Sequence, residues 1–158
     1  MRSTVVQNAT RAKLMATRRP ASEHGTRVER GSAFMNNLLL AEDDASIQLV
    51  ARMALKRAGW SVTVAGDGWA ALEAARSGRP DVIVLDWMMP GLDGPEVCER
   101  LKADAATAPI PIIFLTARSQ EAEIQRGLAL GAVGYITKPF DALTLGAQIR
   151  ALLKESGA

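Results

Sequence analysis

Acidic, hydroxyl and amine side chains stand at the ends of four short apolar runs. Glu42 and Asp43 follow Leu38-Leu39-Leu40-Ala41, Asp86 follows Val82-Ile83-Val84-Leu85, Thr116 follows Ile112-Ile113-Phe114-Leu115, and Lys138 follows Tyr135-Ile136-Thr137. Gathered in one place, these groups suit the handling of a phosphoryl group. Such a group brings concentrated negative charge, so a carboxylate can attack it only when a cation neutralises the approach. Three neighbouring acids form a hard oxygen cage for Mg²⁺, with waters and a backbone carbonyl completing the shell. The cation would then bridge nucleophile and phosphoryl oxygens. A carboxylate is an established covalent nucleophile for phosphoryl groups. Lys138 would add a mobile point charge, and Thr116 a hydroxyl hydrogen bond to a phosphoryl oxygen. The only histidine, His24, lies in the N-terminal stretch that reads as a disordered tail, so no separate general base is expected.

Apolar runs of this length suit buried strands of a parallel sheet, which binds its ligands beyond the carboxyl ends of the strands. Polar groups at those ends therefore converge. Between the runs lie helical patterns. Ile47, Val50 and Ala54 recur at helical spacing with Leu49 and Met53 widening the face, Asp44 is placed to cap this helix, and Gly59 closes it. Val62 and Val64 alternate within a short second strand over 61–65. Asp67 caps a second helix through about Arg76, ended by Gly78 and Pro80. The third strand empties into Met88-Met89-Pro90-Gly91-Leu92-Asp93-Gly94, a run of turn residues, and Pro95 suits the first turn of a helix striped by Val97, Cys98 and Leu101. Pro111 is tolerated at the start of the fourth strand. A weak fourth helix covers 121–130, and a last helix from about Asp141 to Lys154 carries Leu145, Ile149, Leu152 and Leu153. Strict alternation of five strands and five helices predicts an α/β fold: a doubly wound five-stranded parallel sheet with right-handed crossovers and helices on both faces.

The chain has 158 residues, the length of one domain. Its formal charge of +2 averages two unlike regions. Residues 1–35 carry seven bases against two acids, whereas the remainder carries twelve bases against fifteen acids. The mildly acidic body argues against a nucleic-acid footprint. The first stretch is rich in Arg, Thr, Ser and Ala without an apolar period, and reads as a disordered basic extension; Met35, immediately before the first strand, is a candidate natural start. A single cysteine, Cys98, excludes an intramolecular disulfide and suits a reducing compartment. With no apolar run long enough to span a membrane and no secretory signal core, a cytoplasmic location without membrane contact is expected.

The motifs Leu-Ala-Glu-Asp-Asp, Val-Leu-Asp-Trp-Met-Met-Pro-Gly-Leu-Asp-Gly, Phe-Leu-Thr-Ala and Gly-Tyr-Ile-Thr-Lys-Pro-Phe together make the segment 36–156 resemble the receiver domain of two-component response regulators. The resemblance implies a flavodoxin-like strand order, 2-1-3-4-5. It implies that Asp86 accepts a phosphoryl group from a sensor histidine kinase or histidine phosphotransfer protein. Mg²⁺ would be held by Glu42, Asp43, Asp86 and the main-chain carbonyl of Met88. In similar proteins Thr116 shifts toward the phosphoryl group and the aromatic matching Tyr135 turns inward, while the peptide matching Lys138-Pro139 is usually cis. The expected function is that of a single-domain response regulator, a switch and not an enzyme in the ordinary sense. It would catalyse its own phosphoryl acceptance and lose the group slowly.

Phosphorylation adds roughly −1.5 to −2 charge at Asp86, which Thr116 and Lys138 can satisfy only by moving. An output face is therefore expected on the fourth helix, fifth strand and fifth helix, including Arg126, Tyr135 and Arg150, with an unknown downstream protein as target and no direct DNA contact. Val133 and Gly134 stand where regulators that dimerise through this face often carry acids. Met88, two residues after Asp86, puts an apolar group near the path of an attacking water, and Arg118 lies two after Thr116. Two other readings stand beside this one. A haloacid-dehalogenase-like phosphatase also uses an Asp nucleophile with Mg²⁺, but generally needs an acid where this chain has Met88. A phosphorylation-independent scaffold would have no use for the full set of Glu42, Asp43, Asp86, Thr116 and Lys138.

Overall fold

The computed structural model describes residues 36–117 and 121–157. The expected basic extension over residues 1–35, with His24 and Met35, lies outside the described residues, as does Arg118. Among the described residues five strands and five helices alternate: β1 Asn37–Ala41, α1 Ala45–Arg57, β2 Ser61–Ala65, α2 Gly68–Gly78, β3 Val82–Asp86, α3 Gly94–Ala103, β4 Ile112–Thr116, α4 Glu121–Ala129, β5 Gly134–Thr137 and α5 Leu145–Glu155. The sheet is parallel throughout, in the order β2-β1-β3-β4-β5. This is the flavodoxin-like arrangement.

The central strands are apolar from end to end because both of their faces are covered. Every residue of β3 and β4 is buried, Asp86 and Thr116 included. Alternate side chains feed two separate cores. Leu39, Ile83, Leu85, Ile112 and Phe114 pack with Ala71 and Leu72 of α2 and with Val97, Cys98 and Leu101 of α3. On the opposite face Leu38, Leu40, Val84, Ile113 and Leu115 pack with Ala51 and Leu55 of α1 and with Leu145, Ile149 and Leu153 of α5.

Local chemistry accounts for the helix starts. The Asp44 carboxylate accepts from the backbone N–H groups of Ser46 and Ile47, and that of Asp67 from Ala70. Asp93 and Glu96 form a reciprocal capping box at the start of α3, with Pro95 in its first turn. The last helix begins at Leu145, later than expected, because Asp141 to Thr144 form a turn in which the Asp141 carboxylate accepts from Leu143 N–H.

One expectation fails on α1. Ala51 and Leu55 are its buried residues, whereas Leu49, Val50 and Met53 are about half exposed. The inward stripe is shifted from the one the larger apolar residues suggest, because a small alanine fits against the sheet where a valine or methionine would crowd it. None of the described helices is long and apolar enough to cross a membrane.

Candidate functional site

The carboxyl ends of β1, β3, β4 and β5 open onto a cleft of about 270 Å³ lined by Glu42, Asp43, Asp86, Met88, Thr116 and Lys138, among others. All the strand-end residues singled out from the sequence therefore meet there. Register explains the convergence: Ala41 pairs with Leu85 across β1 and β3, Asp86 with Leu115 across β3 and β4, and Thr116 with Thr137 across β4 and β5. Glu42 and Asp86 then emerge level with each other, and Thr116 and Lys138 follow in steps of one residue along the neighbouring strands. The Lys138-Pro139 peptide is cis.

Glu42 and Asp86 are buried and Asp43 is exposed at the mouth. One carboxylate oxygen from each lies within 4.8 Å of the others. Lys138 Nζ donates to Glu42 Oε1 at 3.0 Å and stands 3.3 Å from Asp86 Oδ1. Backbone donors complete the arrangement. Asp44 N–H donates to Glu42 Oε2 at 3.0 Å, and Met88 N–H reaches Asp86 Oδ1 at 3.4 Å.

Burial, followed by the neighbouring charge of Glu42, raises the Asp86 carboxyl from 3.8 to about 6 against the opposing pull of Lys138. Burial draws the Lys138 ammonium downward, but its hydrogen bond to Glu42 and the charges of Asp86 and Glu42 outweigh that and leave it above its ordinary value. Two buried carboxylates against one ammonium leave negative charge in excess. The donor set consists of hard oxygens, and a divalent cation placed among them would relieve the repulsion that holds Asp86 up. The residues present thus fit Mg²⁺.

Several supporting contacts have no signature in the sequence. Gln48 Nε2 donates to the main-chain carbonyl of Glu42 at 2.6 Å, tying α1 to the acidic corner. The Trp87 ring packs edge-on against Phe114, with centroids 4.8 Å apart, and the Arg126 guanidinium lies 5.9 Å above it. Trp87 thereby links the residue after Asp86 to α4. A narrow gap beside it is lined by Thr116, Ile124, Leu128 and Tyr135, and Tyr135 is 40% exposed at its rim. Arg150, expected on the same face as Arg126 and Tyr135, instead stacks 4.1 Å from the Trp60 ring. That ring belongs to the core shared by α1 and α5, which takes Arg150 away from α4.

Comparison with known proteins agrees with this geometry. The family model described as response regulator receiver domain matches residues 38–150. The transcriptional regulatory protein CseB of Streptomyces avermitilis is 42% identical over 125 residues, covering 79% of this chain and 52% of that protein. The DNA-binding response regulator MtrA of Mycobacterium tuberculosis is 40% identical over 119 residues, covering 75% of this chain and 51% of that protein. The chain thus spans about half the length of these relatives. Among solved structures, the chemotaxis response regulator CheY4 of Vibrio cholerae superposes with a TM-score of 0.71 at 34% identity, covering 75% of this chain and 99% of that one.

Proposed function

The chain belongs to the response regulator receiver domain family, and from that premise we propose that it accepts a phosphoryl group on Asp86 from a sensor histidine kinase or histidine phosphotransfer protein in the cytoplasm. The carrying observation is a buried carboxylate beside an ammonium, with two further acids within 4.8 Å. An Asp86 oxygen attacks phosphorus as the phosphorus–nitrogen bond of the donor breaks, and the departing imidazole takes the electron pair and, from solvent, a proton. With its carboxyl near 6 before a cation enters, Asp86 is already largely ionised at neutral pH and available as nucleophile. Glu42, Asp43, Asp86 and the Met88 carbonyl would hold Mg²⁺, which when bound neutralises charge on the transferring group. Lys138 offers its ammonium to a phosphoryl oxygen, and Thr116 its hydroxyl. No acid or base beyond these is required, and the protein acts as a switch.

The donor would approach over α1, whose half-exposed Leu49, Val50 and Met53, together with exposed Leu143, form an apolar surface; the first turn of the same helix lines the cleft at Ile47. Movement of Thr116 toward the phosphoryl group would draw Tyr135 into the gap beside α4, altering a face built from α4, β5 and α5 for a downstream protein. The DNA binding named for MtrA belongs to a protein of which the matching region makes up 51%, and we assign no DNA contact to the receiver region. Met88, 63% exposed at the cleft, shields the phosphoryl group from water, so hydrolysis should be slow.

The test is intact mass after incubation with Mg²⁺ and acetyl phosphate. One phosphoryl group should be gained by the wild type and none by Asp86→Asn. Uptake that survives in Asp86→Asn, or that ignores removal of Mg²⁺, would refute the proposal.

A further inference from the structure

The loop from Trp87 to Asp93 carries the Met88 carbonyl; Gly94 N–H donates to the Trp87 carbonyl at 3.0 Å and Met88 N–H meets Asp86 Oδ1 at 3.4 Å, and a further contact comes from outside the cleft. Trp69, the second residue of α2, lies over it with 55% of its surface exposed. A Cβ built on Gly91 would sit 3.4 Å from Cδ1 and 3.6 Å from Nε1 of the Trp69 indole, an ordinary van der Waals distance, so the ring lies beside the loop at Gly91. Gly91 has φ +80, a conformation that brings bare backbone against the ring at little cost. Arg100 of α3 places its guanidinium over the same ring, 5.1 Å from the centroid. One residue earlier, a Cβ on Gly68 would collide with the Leu92 carbonyl oxygen, so the start of α2 is in contact with the loop as well.

An indole more than half exposed contributes less to the core than its size suggests, because most of its apolar area stays in water. Its contacts are concentrated on a tight turn and one cation. We propose that Trp69 is a positioning residue for metal binding: its ring, braced by Arg100, clamps the 87–93 loop so that the Met88 carbonyl is held ready for the cation. The inference rests on the metal site of the proposed function. Loop freedom removed before binding is not lost on binding, so a clamp of this kind raises affinity without touching the ion.

The experiment is calorimetric titration of the unphosphorylated full chain with MgCl₂, with thermal midpoints measured in EDTA alongside. Trp69→Ala should weaken Mg²⁺ binding about three- to tenfold, which is roughly 0.7 to 1.4 kcal/mol, while leaving the EDTA midpoint nearly unchanged. Trp69→Phe, which keeps a flat ring beside Gly91, should recover most of the affinity. Should Trp69→Ala fail to fold, Trp69→Leu carries the same comparison with Trp69→Phe. Wild-type affinity in the Ala or Leu variant, or equal weakening in the Phe variant, would overturn the clamp. Absence of Mg²⁺ binding by the wild type would instead overturn the metal site itself, and the clamp with it.

Discussion

Asp86 is the residue at which folding and chemistry oppose each other. Its carboxyl stands at about 6 in the fold against an ordinary value of 3.8, so the folded state holds this proton more tightly than the unfolded chain. Stability is therefore lost as pH rises from the lower value through the higher one, by up to roughly 3 kcal/mol. Asp86→Asn removes that cost. In EDTA the variant should be more stable than the wild type to urea at pH 7.5 by up to about that amount, and the difference should vanish toward pH 4. Saturating Mg²⁺ should narrow the gap at pH 7.5 by stabilising the wild type through mass action. A pH-independent difference would show that burial of the charge is not its source. Asp86, Thr116 and Lys138 were readable from sequence because each is a polar residue ending an apolar run of strand length. Gln48 and Trp69 were not, since a glutamine bound to the Glu42 carbonyl and an indole lying beside Gly91 meet their partners only after the chain has folded.

At the scale of elements, the five strands and the caps at Asp44 and Asp67 were legible, because buried strands and N-caps depend on short stretches of chain. The inward face of α1 was not. Leu49, Val50 and Met53 are large and apolar at helical spacing, and only the packing of α1 against the sheet distinguishes them from Ala51 and Leu55. Truncation separates the two faces. Leu55→Ala should cost about 2 to 4 kcal/mol through the cavity it leaves, whereas Met53→Ala should cost less than about 1 kcal/mol. Urea unfolding of both variants in the same buffer checks this, and similar losses would return Met53 to the core. If α1 receives the donor, Met53→Ala should nevertheless slow transfer from a cognate kinase while leaving acetyl phosphate uptake intact.

Across the whole molecule, a phosphoryl event at the top of the sheet has unequal routes to its two sides. Trp87 connects the acceptor strand to Phe114 and Arg126, and Thr116 and Tyr135 border the gap beside α4. On the side of α1 and α5, Gln48 of α1 holds the main-chain carbonyl of Glu42. Hydrogen exchange with and without beryllofluoride and Mg²⁺ should accordingly change most in α4, β5 and the 87–93 loop and least in the lower half of α1. In Thr116→Ala the mass gain from acetyl phosphate should persist while the α4 response shrinks. A full response in that variant would remove Thr116 from the relay. The sheet, with its two unmixed cores, is thus also a partition between specificities. Substitutions on opposite sides of it share few neighbours and should add nearly independently. Donor choice on α1 could then be recoded by library selection without disturbing the α4 part of the effector face, so that the two are altered one side at a time.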